Sequence, residues 1–102
     1  MRILFKEPGK EPRTMIIPNT LKMLQDLVGG YIETVRVSAD AILICNEDGK
    51  NLGLEPNFFF GAIGDVIVGP VIIARDGGED FTDLPEDEAE EISRILRGGF
   101  EV

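Results

Sequence analysis

The sequence predicts an α+β fold in which one helix lies across a small mixed sheet and a second helix follows at the C-terminus. Three observations support this class. Residues 21–28 repeat apolar side chains with helical spacing. After Gly30 the spacing changes to two, as in a strand. Residues 41–45 (AILIC) are apolar at every position, which is typical of a strand buried on both faces.

The first element is a predicted hairpin. Arg2–Glu7 forms its first strand, with Ile3 and Phe5 on one side, and Arg13–Ile17 forms its second. The turn between them, residues 8–12, has proline at both ends, which limits how far the two strands can pair.

The first helix covers Leu21–Val28. Asn19 or Thr20 supplies a side-chain acceptor at its start, and Gly29–Gly30 ends it. The apolar stripe consists of Leu21, Leu24, Leu27 and Val28. This stripe requires an apolar surface beneath it, so we expect the helix to pack across the sheet. We also expect the first strand to pair with both the second and a later strand.

Two strands follow the helix. In the first of them, alternation places Tyr31, Glu33, Val35 and Val37 on one side, with Ile32, Thr34 and Arg36 on the other. Ser38–Asp40 then turns the chain into Ala41–Cys45. The element order ββαββ is that of a β-grasp, the ubiquitin-like architecture, so a β-grasp-like sheet is predicted.

The segment after Cys45 is a long loop followed by an apolar stretch. Phe58–Phe60 cannot all face one core from a strand, so a short helical turn that buries two of them is predicted; an exposed aromatic patch for a partner is the alternative. Val66–Ala74 is predicted to be one long strand, with a bulge or a sheet edge at Gly69–Pro70.

The C-terminal helix is predicted over Asp83–Arg97 and ends at Gly98–Gly99. Acidic residues at its start and arginines at its end suit the helix dipole. Its apolar stripe consists of Ala89, Ile92, Ile95 and Leu96. We expect the helix to dock on its own domain or to pair with a second copy. The predicted organisation is a single α+β domain over residues 1–80, followed by an acidic helix and short tail over 81–102.

Composition excludes several classes of protein. The 102 residues fit one core, and the net charge is −9. Residues 76–102 contain ten acidic and two basic side chains, so direct binding to nucleic acid or to a membrane is not expected. The single cysteine, Cys45, is predicted to be a buried thiol in a cytoplasmic protein.

Catalytic and metal-binding signatures are scarce. The chain contains no histidine, which excludes a Cys–His pair, a Ser–His–Asp triad and a Cys/His zinc site. Residues 76–87 superficially resemble a calcium loop, but Phe81 stands where that loop needs glycine. We therefore expect no enzymatic activity, no cofactor and no metal.

Three residues are candidates for a binding site: Tyr31, Glu33 and Asn46. Glu33 shares a strand face with Tyr31 and Val35, where a carboxylate marks either a polar site or an exposed surface. Asn46 ends the most apolar strand and opens a loop, where ligands are often held. The alternative for Asn46 is a side chain that satisfies its own turn.

The motifs EPGK (7–10), IPNTL (17–21), VGGYIE (28–33) and ICNEDGK (44–50) resemble those of domain-of-unknown-function family 3846 over roughly residues 1–80. This resemblance implies a small accessory protein of phages or mobile elements, and it assigns no role to particular residues.

Three functions remain open at this point. The first is a non-enzymatic protein-interaction module that acts on a protein of the host or of the mobile element, with a homodimer through the C-terminal helix as a further option. The second is an acidic DNA mimic or anti-defence protein. The third is a small-ligand-binding protein, which requires one cavity lined by Tyr31, Glu33 and Asn46.

Overall fold

The computed structural model describes residues 1–97, which form eight strands and two helices. The strands are β1 (Arg2–Lys6), β2 (Arg13–Ile16), β3 (Ile32–Arg36), β4 (Ala41–Asn46), β5 (Pro56–Phe60), β6 (Asp65–Val68), β7 (Val71–Asp76) and β8 (Phe81–Thr82). The helices are α1 (Leu21–Val28) and α2 (Glu86–Arg97). The predicted helix end at Gly98–Gly99 lies outside the described residues.

The main sheet has the strand order β2-β1-β7-β4-β3, and the short β8 pairs with the end of β7. The prediction that β1 pairs with β2 and with a later strand is confirmed, the later strand being β7. Every strand pair within residues 1–97 is antiparallel. The predicted mixed sheet is therefore wrong, and a β-grasp arrangement is not confirmed. The reason is that β7 lies between β1 and β4 and runs antiparallel to both, a placement that the element order does not encode.

Helix α1 has the predicted bounds and caps. Thr20 accepts a hydrogen bond from the Met23 backbone N–H at 3.2 Å, and Gly29 ends the helix with a φ of 81°. Leu24 and Val28 are buried, whereas Leu21 at the first helical position is 57% exposed. The part of the apolar stripe that is buried against the sheet is therefore its C-terminal portion.

The sheet has one core on each face. The face under α1 holds a cluster formed by Ile3, Phe5, Ile17, Leu24, Val28, Ile44, Ile72 and Ala74. We call this side of the sheet the α1 face and the opposite side the α2 face. The central strands β4 and β7 contribute to both clusters, which explains why their sequences are apolar at nearly every position.

The α2 face is covered by helix α2 together with the separate hairpin β5–β6. Its core cluster consists of Leu4, Ala41, Leu43, Cys45, Phe58, Ile67, Val71, Ile73, Leu84, Ala89, Ile92 and Leu96. Docking of the C-terminal helix on its own domain is thus confirmed. The helix begins at Glu86 rather than Asp83, because Asp83 and Leu84 instead hydrogen-bond to the backbone of Arg2. Residues beyond 80 therefore share a core with the sheet.

Two predictions for the second half of the chain are wrong. Phe58–Phe60 lie in strand β5 rather than in a helical turn, and strand alternation buries Phe58 while Phe59 is exposed. Val66–Ala74 is two strands of different sheets rather than one, because the chain leaves the hairpin at Gly69–Pro70. Gly69 has a φ of 75°, and a Cβ on it would lie 2.7 Å from Leu54 Cδ1.

Candidate functional site

Two of the clefts on the α2 face border the β5–β6 hairpin, one beside each strand. The polar cleft borders β6 and has a volume of about 320 Å³. Its polar lining residues are Glu33, Cys45, Asn46, Glu47, Asp48, Lys50, Asn51 and Asp65. The apolar groove borders β5 and has a volume of about 250 Å³. Its large apolar residues are Val37, Leu43, Phe58, Phe59, Phe60, Ile73, Ile92, Ile95 and Leu96.

The structure brings two of the three candidate binding residues together. Glu33 and Asn46 both line the polar cleft, and Glu33 lies directly across the β3–β4 pair from Cys45. Tyr31 lies outside this cleft, is 70% exposed and borders a separate shallow depression near Gly29. A single cavity lined by all three is therefore absent from the described residues.

Asn46 is held by structural hydrogen bonds. Its Nδ2 donates to the Val28 carbonyl at 3.1 Å, and its Oδ1 accepts from the Asp48 backbone N–H at 2.8 Å. The first bond satisfies a carbonyl at the end of α1, and the second closes the turn after β4. The interpretation that Asn46 satisfies its own turn is confirmed. Gly30 leaves room for this side chain, because a Cβ there would lie 2.9 Å from Asn46 Nδ2 and one of the two would have to shift.

The charges of the polar cleft are mostly negative. Lys50 forms an ion pair with Asp65, and its hydrogen bond, together with one from the Val66 backbone N–H, lowers the pKa of that carboxyl. Glu33 and Glu47 form no ion pair within residues 1–97. In the same part of the chain, no group of three or more Cys, Asp and Glu side chains is placed to hold a metal ion.

Cys45 is a free, buried thiol whose pKa lies above its ordinary value. Burial, and to a smaller extent the nearby carboxylate of Glu33, raise its pKa to about 11. Since the thiolate is the nucleophile, this cysteine is poorly suited to covalent chemistry.

The raised pKa of Cys45 predicts a loss of stability at alkaline pH. The pKa is higher in the folded state than the ordinary value of 9.0, so the thiol favours folding below pH 9, and this contribution disappears as the pH rises toward 11. We expect the wild-type chain to lose about 2 kcal/mol relative to Cys45→Ala between pH 8 and pH 11. Urea unfolding of both proteins at the two pH values measures this difference. Parallel losses in the two proteins would contradict it.

The apolar groove exposes large side chains that the core does not use. Phe58 and Phe60 contact each other edge to face, with 6.5 Å between their ring centroids, and they form the floor beside β5. Phe59, on the other side of the same strand, is 45% exposed, and Ile95 of α2 is 46% exposed. Ile95 belongs to the predicted stripe of α2, yet it lies at the groove while Ile92 and Leu96 are buried beneath it.

The helix beside the groove is acidic. Glu88 lies 3.9 Å from Arg75, and Glu91 lies 3.0 Å from Arg94. Three further carboxylates of α2 have no ion-pair partner within the described residues: Glu86, Asp87 and Glu90. Helix α2 therefore carries its negative charge in the half that precedes the groove residues Ile92, Ile95 and Leu96, and this charge attracts basic groups to that half.

Sequence reasoning missed one buried polar network on the α2 face. Asn57 Oδ1 accepts a hydrogen bond from Lys6 Nζ at 2.8 Å. Asn57 Nδ2 donates to the carbonyls of Lys6 at 2.9 Å and Gly69 at 2.8 Å. These bonds attach the hairpin to β1 and so position one wall of each cleft. The available signal was that Lys6 shares a strand face with Leu4, where a core residue is expected.

The fold and the clefts define a class: a three-layer α+β domain with a covered antiparallel sheet and an exposed apolar groove. The chain belongs to the family described as domain of unknown function (DUF3846), whose model matches residues 1–97. The match thus extends through α2, beyond the range of the motifs. No curated protein and no solved structure matches the chain. Between residues 1 and 97, neither helix has the length and apolar character that crossing a membrane requires.

Proposed function

We propose that this protein is a non-enzymatic protein-interaction module and that its binding surface is the apolar groove between strand β5 and helix α2. The observation that supports it is the joint exposure of Phe59 and Ile95, at 45% and 46%, around one apolar cavity. Single exposed apolar residues are ordinary, whereas several that border one concave surface are typical of a binding groove.

The charge of the chain favours a particular partner. The net charge is −9, and helix α2, whose second half lines the groove, carries five carboxylates in its first half and two arginines in its second half. A partner segment with large apolar side chains and a net positive charge therefore complements both the groove and the net charge of the chain. A second copy of this chain complements them poorly, because two surfaces of the same sign repel each other.

The alternative functions have less support. A DNA mimic needs carboxylates spread over an extended face, whereas the acidic residues of α2 are concentrated in its first half, at Glu86–Glu91. A small-ligand function would use the polar cleft, where Asn46 is occupied by structural hydrogen bonds and Tyr31 lies elsewhere. In the apolar groove, by contrast, Phe59 and Ile95 remain exposed beside one apolar cavity.

Peptide selection tests the proposal directly. A displayed library of random twelve-residue peptides is selected against the wild-type protein and, in parallel, against Ile95→Glu. We expect the wild type to enrich peptides that combine two or more large apolar residues with a net positive charge. We expect Ile95→Glu to lose that enrichment, because a carboxylate at position 95 places an unpaired charge in the groove.

A matched control separates the groove from other exposed apolar residues. Ile16 on the edge strand β2 is 72% exposed and lies far from the groove lining. Ile16→Glu adds the same charge there and should keep the enrichment. The same peptides enriched on Ile95→Glu, or a selection without any apolar and basic preference on the wild type, would refute the proposed function.

A further inference from the structure

Strand β3 presents a free edge whose orientation follows from its pairing with β4. The Val37 N–H donates to the Ala41 carbonyl, and the Glu47 N–H donates to the Tyr31 carbonyl, each at 2.9 Å. In an antiparallel pair, residues that bond to the partner alternate with residues that point away from it. The odd-numbered residues of β3 therefore bond to β4. The N–H and C=O groups of the even-numbered residues, Ile32, Thr34 and Arg36, point outward.

This edge lies at the end of the main sheet. Among the described strands, β3 pairs only with β4, and the sheet order ends at β3. An unpaired row of backbone donors and acceptors is a template for another strand. Recognition of peptides by addition of a strand to a sheet edge uses this kind of row.

We propose that the partner of the apolar groove adds one antiparallel strand to the free edge of β3. This inference rests on the proposed function, because it specifies how the same partner binds. The edge and the groove are continuous: Glu33 and Val35 line the polar cleft, and Val37, directly after β3, lines the groove. A segment along β3 therefore runs from the polar cleft to the groove.

The register fixes the chemistry of that segment. On the α2 face, its alternate side chains lie next to Glu33, Val35 and Val37, at positions where cross-strand side chains are in contact. A basic residue pairs with Glu33, an apolar residue packs on Val35, and a large apolar residue next to Val37 reaches the groove. In the antiparallel orientation the segment therefore contains, from its N-terminal end, a large apolar residue, any residue, an apolar residue, any residue and a basic residue.

The surrounding charge favours a foreign strand over a second copy of this chain. Glu33, Glu47 and Asp48 lie along the polar cleft, and Arg36 is already paired with Asp76 at 2.7 Å. Pairing β3 with another β3 would bring two such acidic surfaces together. A basic segment removes that repulsion.

A defined peptide tests the strand addition. The probe is a fluorescein-labelled nonapeptide with the central sequence phenylalanine-threonine-isoleucine-threonine-lysine, titrated by fluorescence anisotropy. We expect saturable binding to the wild type and binding about tenfold weaker to Thr34→Pro, because proline removes one outward N–H from the edge. Thr34→Ala keeps that N–H and should bind within about twofold of the wild type.

N-methylated peptides give the same test without altering the protein. Methylation of the two threonine nitrogens blocks the peptide edge that faces β3, whereas methylation of the isoleucine nitrogen modifies the opposite edge. We expect loss of binding in the first case and retention in the second. Equal binding of both peptides, no saturable binding to the wild type, or a dimer that Thr34→Pro converts to a monomer in sedimentation would overturn the strand addition.

The outcomes for edge and groove can be told apart. If Thr34→Pro binds the probe as the wild type does while Ile95→Glu does not, binding in the groove is supported and strand addition at β3 is contradicted. If Ile95→Glu has no effect on the probe while Thr34→Pro does, the edge binds without the groove and the proposed surface is wrong.

Discussion

Replacement of Asn57 by alanine is expected to lower the free energy of unfolding by about 3–5 kcal/mol, the largest effect that we predict for a single polar residue. Asn57 is 2% exposed and makes three hydrogen bonds that join β1, β5 and the link from β6 to β7. Its loss leaves buried carbonyls without those donors and removes a hydrogen-bond acceptor from the buried Lys6 ammonium.

Urea unfolding of Asn57→Ala measures this effect. Asn51→Ala is the matched control, since Asn51 is exposed in the loop before β5 and should change stability by less than about 0.5 kcal/mol. A loss of less than about 1 kcal/mol for Asn57→Ala would mean that the network does not attach the hairpin to the sheet.

Replacement of Leu24 by alanine is expected to cost about 2–5 kcal/mol. Leu24 is 2% exposed in the cluster between α1 and the sheet, so the substitution leaves a cavity beneath the helix. Denaturant melts measure the loss. Leu21→Ala removes the same atoms from the same helix at a position 57% exposed and should cost less than about 1 kcal/mol. Equal losses for the two variants would contradict the packing of α1.

The elements with a strong local signal were predictable. Helix α1 has a capping threonine before it and a glycine with positive φ after it, and both signals are visible in the sequence. The alternation in residues 31–37 predicted that Val35 and Val37 share a face, and both pack against the α2-face cluster. Local rules succeed here because the caps of α1 and the side-chain alternation of β3 depend on residues that are neighbours in the sequence.

Features that depend on distant residues were not predictable. The position of β7 between β1 and β4 is decided by long-range pairing, for which Val71–Asp76 gives no local indication. The three phenylalanines illustrate the same limit. Strand alternation resolves their crowding, since Phe58 is buried in the α2-face cluster whereas Phe59 is 45% exposed and borders the groove. The groove itself arises between β5 and α2, which are separated by 25 residues of the chain.

The candidate residues show how far single-residue reasoning extends. The sequence placed Glu33 on the same strand face as Val35, as the mark of either a polar site or an exposed surface, and the two residues line the polar cleft together. Asn46 was selected for its position at a strand end, and that position reflects its hydrogen bond to the end of α1. The groove residues Phe59 and Ile95 were visible only as parts of two separate apolar runs.

The central claim is that the apolar groove beside α2 binds a protein segment, and amide chemical-shift mapping tests it most directly. A peptide enriched on the wild-type protein is titrated into the ¹⁵N-labelled chain. We predict that the largest shift changes occur at Val37, in residues 58–62 and in residues 92–96, which line the groove. Changes confined to helix α1 and the α1 face, with the groove amides unaffected, would contradict the claim.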